Sequence, residues 1–151
     1  MTFTLKSAAF GDGEPIPRRY TDDGEGVSPP LSWSDAPSGT KSFALICEDP
    51  DAPSGTFRHW ALYNIPADRS ELPEGYGNTE TSQSGVNDLG EHGYGSPGPP
   101  RGHGPHHYHF RLAALDVETI DPPRNARVAD IWRIANKHLL GVAEIVGTYE
   151  R

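Results

Sequence analysis

The ten residues Ser96-Pro97-Gly98-Pro99-Pro100-Arg101-Gly102-His103-Gly104-Pro105 constrain this chain more than any other stretch. Proline fixes φ and removes a backbone donor, while glycine opens positive φ, so the segment is neither a helix nor a central strand. It reads as a shaped loop, a wall rather than a packed element. It runs directly into His106-His107-Tyr108-His109-Phe110-Arg111-Leu112. Strand alternation there puts His106, Tyr108, Phe110 and Leu112 on one face and His107, His109 and Arg111 on the other. One histidine and one tyrosine thus share a face with core residues.

The remaining segments read mostly as strands. Phe3–Phe10 alternates and ends at Gly11-Asp12-Gly13. Ser28-Pro29-Pro30-Leu31-Ser32-Trp33 reads as an extended segment at a sheet edge, since its prolines cannot donate to a ladder. Lys41–Glu48 is the clearest buried strand, apolar on both faces. Arg58–Pro66 and Val142–Tyr149 are further strands, and the strand begun at His106 runs on to Val117. Residues 67–95 lack a sustained apolar pattern and read as a long surface loop with short strand pieces near Ser84–Asn87. Only one stretch changes period: Val128, Ile131, Trp132, Ala135 and Leu139 form a helical stripe, with Asn125 expected as cap and Gly141 as stop. With 17 glycines and 15 prolines in 151 residues, the expectation is one mainly β domain spanning the whole chain.

Acidic residues outnumber Lys and Arg by 21 to 13, a formal charge of −8, which opposes binding to nucleic acid or to an anionic membrane. Cys47 is the only cysteine, so no intrachain disulfide can form. The N-terminus has no secretory pattern, and no apolar run reaches spanning length, so a cytoplasmic protein without stable membrane insertion is expected.

Three distant segments end strands with chemistry-bearing residues: Asp49-Pro50-Asp51, His59, and His106 with Tyr108 behind the Pro/Gly wall. An imidazole held by a carboxylate, a second imidazole and a phenol suit the oxygens of a phosphate or carboxylate. Asp49-x-Asp51 is equally well explained by an Asx turn, and a lone histidine entering a strand is more often structural. The four histidines at 103, 106, 107 and 109 raise the question of a metal. No second ligand cluster with familiar spacing accompanies them, and histidines on a solvent-facing strand are ordinary. No metal and no cofactor is expected. A Gly-x-Ser-x-Gly elbow, a Walker loop and a dinucleotide fingerprint are all absent.

These motifs resemble the phosphatidylethanolamine-binding protein family, specifically its bacterial and archaeal Raf-kinase-inhibitor-like branch. The resemblance lies in Asp49-Pro50-Asp51-Ala52-Pro53, in His59-Trp60 with Asn64-Ile65-Pro66, and in Gly98-Pro99-Pro100 through His106-His107-Tyr108. Flanking matches are Ile16–Thr21, Ser28–Trp33, Asn87–Gly90 and the ending Gly147–Arg151. The resemblance implies an antiparallel β-sandwich of two sheets with a C-terminal helix, and a small anion pocket. By motif, Asp49, His59, His106 and Tyr108 would form the pocket, Asp51 would support it, and Gly98, Pro99 and Pro100 would make its wall. It further implies a homodimer and a role towards a kinase or protease partner. Two departures stand out. Cysteine is usual where this chain has Gly98 and Asp22, and arginine is usual where it has His107. The functional expectation is a non-enzymatic binding protein for a small anion of the phosphate, phosphoethanolamine or carboxylate type. The alternative is a hydrolase or lyase using His59 or His106 as general base.

Overall fold

A computed structural model describes residues 2–151. Its strands are β1 (Thr4–Lys6), β2 (Leu31–Ser34), β3 (Ser42–Asp49), β4 (Phe57–Pro66), β5 (Glu71–Leu72), β6 (His106–Leu115) and β7 (Leu139–Tyr149). One short helical turn, α1 (Tyr76–Thr79), and one longer helix, α2 (Val128–Asn136), complete the regular structure besides a 3₁₀ turn at Arg18–Tyr20. The strands make two antiparallel sheets, a small one ordered β1-β2-β5 and a large one ordered β4-β3-β6-β7. This is the sandwich expected from the sequence.

Why β3 reads as apolar on both faces is now visible. Phe43, Leu45 and Cys47 point inward to the core shared with Leu31, Trp33 and Leu72 of the small sheet. Ala44 and Ile46 point outward, under Val128, Ile131 and Ala135 of α2. The large sheet is therefore the middle of three layers, covered on its outer face only at one end. Beyond the helix that face is polar: Arg111 pairs with Glu48 at 3.0 Å and Glu144 at 2.7 Å, and His109 lies 3.3 Å from Glu144. Among the described residues, no helix is long and apolar enough to cross a membrane.

Several local expectations are corrected. The first strand stops at Lys6 rather than Phe10, because the Ser7 hydroxyl accepts from the Ala9 N–H and donates to the Pro30 carbonyl. Such local side-chain bonding competes with a ladder. The Pro29-Pro30 pair does not put the next strand at an edge: the prolines precede β2, which starts at Leu31 and lies between β1 and β5. Helix α2 begins with Arg127 in the capping position, where its N–H donates to the Asp130 carboxylate, so Asn125 is not the cap. Leu139 and Gly141 belong to β7 instead of the helix. The N–H groups of Lys137 and His138 bond three residues back and close the helix before Leu139 is reached.

The long 67–95 segment is strapped along the otherwise open edge of β4. Tyr63 N–H donates to Gln83 O, Gly85 N–H to Ala61 O, and Gly95 N–H to His59 O. This satisfies an edge that would otherwise be free to pair with another chain. Asn87, almost fully buried, keeps the strap in shape: its side-chain oxygen accepts from the N–H groups of Leu89 and Glu91, and its amide donates to Gly93 O.

Candidate functional site

The C-terminal end of β3, the N-terminal ends of β4 and β6, and the Pro/Gly wall meet around one cavity of about 300 Å³. Of the residues singled out from sequence, Asp49, His59, His106, Tyr108, Gly98, Pro99 and Pro100 all line it. Asp51 does not. Its carboxylate turns outward to accept from the N–H and Nδ1 of His107, at 2.8 and 2.7 Å, which holds its pKa below the usual value. Asp51 still bears on the site through its backbone, since its N–H donates to Asp49 Oδ1 at 2.8 Å. The turn reading and the site reading of Asp49 therefore coexist. Oδ1 closes the Asx turn, and Oδ2 accepts from His106 Nδ1 at 2.6 Å.

The strand alternation foreseen from His106 onward holds. His106 and Tyr108 are buried and face inward, while His107 is exposed and His109 half-exposed on the outer face. His59 reaches the cavity by a different route. Cys47 pairs with Trp60 and Glu48 with Arg58, so His59 is the extra residue of a β-bulge. Trp60 points into the inner core, and simple alternation would send His59 to the opposite face. The bulge re-aims it inward, as bulges beside sites commonly do. There it packs edge-on to Tyr108, with ring centroids 5.4 Å apart, and against Phe57 at 4.8 Å.

His59 Nδ1 donates to the Gly95 carbonyl at 2.6 Å, fixing the tautomer that leaves Nε2 as an unprotonated acceptor. Burial depresses this imidazole's pKa, only partly offset by the Gly95 carbonyl and by Asp49. A depressed histidine pKa means that the unfolded chain takes up a proton the folded one resists. The stability it contributes is present above the ordinary value of about 6.5 and is lost as pH falls through and below it. Urea unfolding compared at pH 7.5 and pH 5.5 is expected to show a smaller acid loss for His59→Gln than for the unaltered chain. Equal losses would mean that His59 is solvated.

Tyr108 is equally enclosed, and burial with the nearby Asp49 charge pushes its phenol strongly upward, so it remains a neutral donor. Among the described residues its hydroxyl has no hydrogen-bond partner, and it opens onto the cavity rather than being sealed in the core. A free phenol donor and a free imidazole nitrogen thus converge on the same space. Leu89 and Phe57 give the rim an apolar side, and Asp22 gives it an acidic one.

Sequence reasoning missed several participants. Asp22, whose carboxylate accepts from the Ser96 hydroxyl, stands against the wall at Gly98. Its only sequence signal was its place where cysteine is usual. His103 was set aside with the outward histidines, yet its Nδ1 lies 2.7 Å from His106 Nε2. Among the described residues, no group of three or more histidines, cysteines and carboxylates is disposed to hold a metal ion.

Comparison with known proteins fits this arrangement. A family model described as phosphatidylethanolamine-binding protein matches residues 6–150. A UPF0098 protein of Aquifex aeolicus is 48% identical over 148 residues, covering 96% of this chain and 86% of that protein. The UPF0098 protein YbhB of Escherichia coli is 39% identical over 156 residues, covering 96% and 98%. Among solved structures, that of Escherichia coli YbcL, described as a new member of the mammalian PEBP family, superimposes with a TM-score of 0.92 at 35% identity. That match covers 100% of this chain and 99% of the other.

Proposed function

The chain belongs to the phosphatidylethanolamine-binding protein family, and from that premise we propose that its cavity binds a small molecule bearing a phosphate or carboxylate group. The observation that carries the reading is the convergence, from three sequence-distant strands, of His59 Nε2, the Tyr108 hydroxyl and the Asp49-oriented His106 on one cavity. A phenol donor and an imidazole held by a carboxylate suit an oxyanion, whose charge makes each hydrogen bond stronger than a neutral one. Because His59 Nε2 carries no proton, the preferred ligand brings one. A monoprotonated phosphate fits, donating to His59 and accepting from Tyr108. The apolar rim at Phe57 and Leu89 accommodates an organic stem, and Asp22 suits an ammonium, as in phosphoethanolamine. The rigid Pro99-Pro100 wall lowers the cost of ordering the site around its ligand.

The test is an amide NMR titration with phosphate, phosphoethanolamine and acetate. Saturable shifts between Gly98 and Tyr108 are expected in the unaltered chain and are lost in His106→Ala. Absence of any saturable shift in the unaltered chain overturns the reading.

The reading extends to a cytoplasmic, homodimeric protein that acts on a kinase or protease partner through this face. Light scattering and a pull-down repeated with pocket variants test the dimer and the partner. A second reading is favoured by the Asp49–His106 hydrogen bond, which would also orient a general base for a hydrolase or lyase. Ser96, the one serine or threonine among the residues lining the cavity, donates instead to Asp22, so no activated nucleophile accompanies the base. Turnover of small phosphoesters or esters that disappears in His106→Ala would establish that reading instead.

A further inference from the structure

His106 has two ring nitrogens, and their assignments decide how a ligand could reach it. Nδ1 is committed to Asp49 Oδ2 at 2.6 Å, with both side chains almost wholly buried. Only Nε2 remains for a ligand, and a ring nitrogen has a single in-plane bonding direction. That direction is filled by Nδ1 of His103 at 2.7 Å, the two rings meeting at 60° with centroids 4.9 Å apart. The nitrogen that the anion reading needs is already occupied by another part of the chain.

The occupying residue is mounted differently from the rest of the site. His103 is exposed, lies outside regular structure, and is flanked by Gly102 (φ 75°) and Gly104 (φ 88°). Open space surrounds both glycines, for a side-chain carbon built on either would meet no other atom within 4 Å. The backbone ties nearest to the ring are Gly102 N–H to Arg151 O at 3.0 Å and a long bond, 3.3 Å, from His103 N–H to Pro100 O. His106, by contrast, is fixed in the β6–β7 ladder opposite Tyr149. One ring is rigid and the other sits between two glycines with room to move.

We propose that His103 is a gate on the anion site: its imidazole covers His106 Nε2 and swings outward on Gly102 and Gly104 when a phosphate or carboxylate group takes that nitrogen, with one proton shared across the hydrogen bond in either arrangement. The proposal rests on the anion reading. It adds that ligand and His103 compete for one hydrogen-bonding direction, so the loop's position reports occupancy of the cavity. An outward His103, next to the exposed Arg101, changes the surface offered to a partner whenever the site fills.

Two measurements on His103→Ala test it, and the exposed position makes misfolding of the variant a minor concern. The first needs no ligand: carbethoxylation of His106 by diethylpyrocarbonate, read by peptide mass mapping. His106 is expected to react several-fold faster in His103→Ala than in the unaltered chain, and equal rates overturn the gate. The second is phosphate affinity. Removing a competing hydrogen bond is expected to tighten binding roughly 3- to 10-fold, the range that follows from the net worth of one such bond. Unchanged or weaker binding overturns the competition. If neither protein binds phosphate, the anion reading falls, while the carbethoxylation rates still decide whether His103 covers His106.

Discussion

Replacing His106 with alanine is expected to lower the unfolding free energy by about 3 kcal/mol and to remove saturable phosphate binding. The stability loss follows from burial rather than from the contact alone. The Asp49 and His106 side chains are 4% and 2% exposed, so deleting the imidazole leaves Asp49 Oδ2 without a partner in a place that water hardly reaches. Oδ1 keeps the Asp51 N–H, which sets the expectation at the lower end of what breaking a buried pair costs. A double-mutant cycle separates the pair from the cavity left behind. Asp49→Ala combined with His106→Ala is expected to cost less than the sum of the two single changes, by about 1–2 kcal/mol, because the orphaned carboxylate disappears with its partner. Additivity within about 0.5 kcal/mol in urea unfolding would mean that the two groups are not energetically coupled.

How much of this site could be read from the sequence depends on which rule governed each residue. The alternation from His106 to Leu112 was readable because β6 is a regular strand paired on both sides, which leaves each side chain little choice of face. The apolar run of β3 was readable for the same reason. His59 was nameable but its direction was not. Alternation from Trp60 predicts the wrong face, and the bulge that corrects it is a property of register with β3 rather than of any local motif. The long loop and its strand pieces near Ser84–Asn87 were readable, but their place along β4 was not, because isolated bridges such as Leu62 with Ser84 leave no apolar periodicity behind. His103 failed for the opposite reason. Glycines on either side remove any preferred direction, so no pattern places its ring, and only the folded position of His106 reveals what it touches. At the edges of elements the misses share one cause. Ser7, Asp130 and the closing turn at His138 set their boundaries by hydrogen bonds to specific neighbours, which composition and period do not encode.

Cysteines placed at Asp22 and Gly98 are expected to form a disulfide that stabilises the chain by about 2–3 kcal/mol. A side-chain carbon built on Gly98 would lie 3.4 Å from Asp22 Cβ, just short of the usual disulfide separation of about 3.5–4.5 Å, so a small outward shift suffices. The backbones are already tied there by the Asp22 N–H to Pro97 O bond at 2.9 Å, and Gly98 does not occupy the positive-φ region that would strain a cysteine. The loop closed is long, for which the chain-entropy estimate is about 4 kcal/mol, and loss of the Ser96 hydroxyl to Asp22 bond costs about 1 kcal/mol of it. Cys47, the only native cysteine, is buried in β3 and does not compete. Oxidation should therefore leave a single thiol titratable in denaturant, and reduction should return the unfolding midpoint to a lower value. Two further free thiols after oxidation would contradict the close approach of this wall to the 21–26 turn. The same variant asks whether the wall moves during binding. If the Pro99-Pro100 segment is preorganised and only His103 swings, the oxidised protein should bind phosphate as well as the reduced one. A loss of affinity on oxidation would locate the moving part in the wall, ahead of the two glycines.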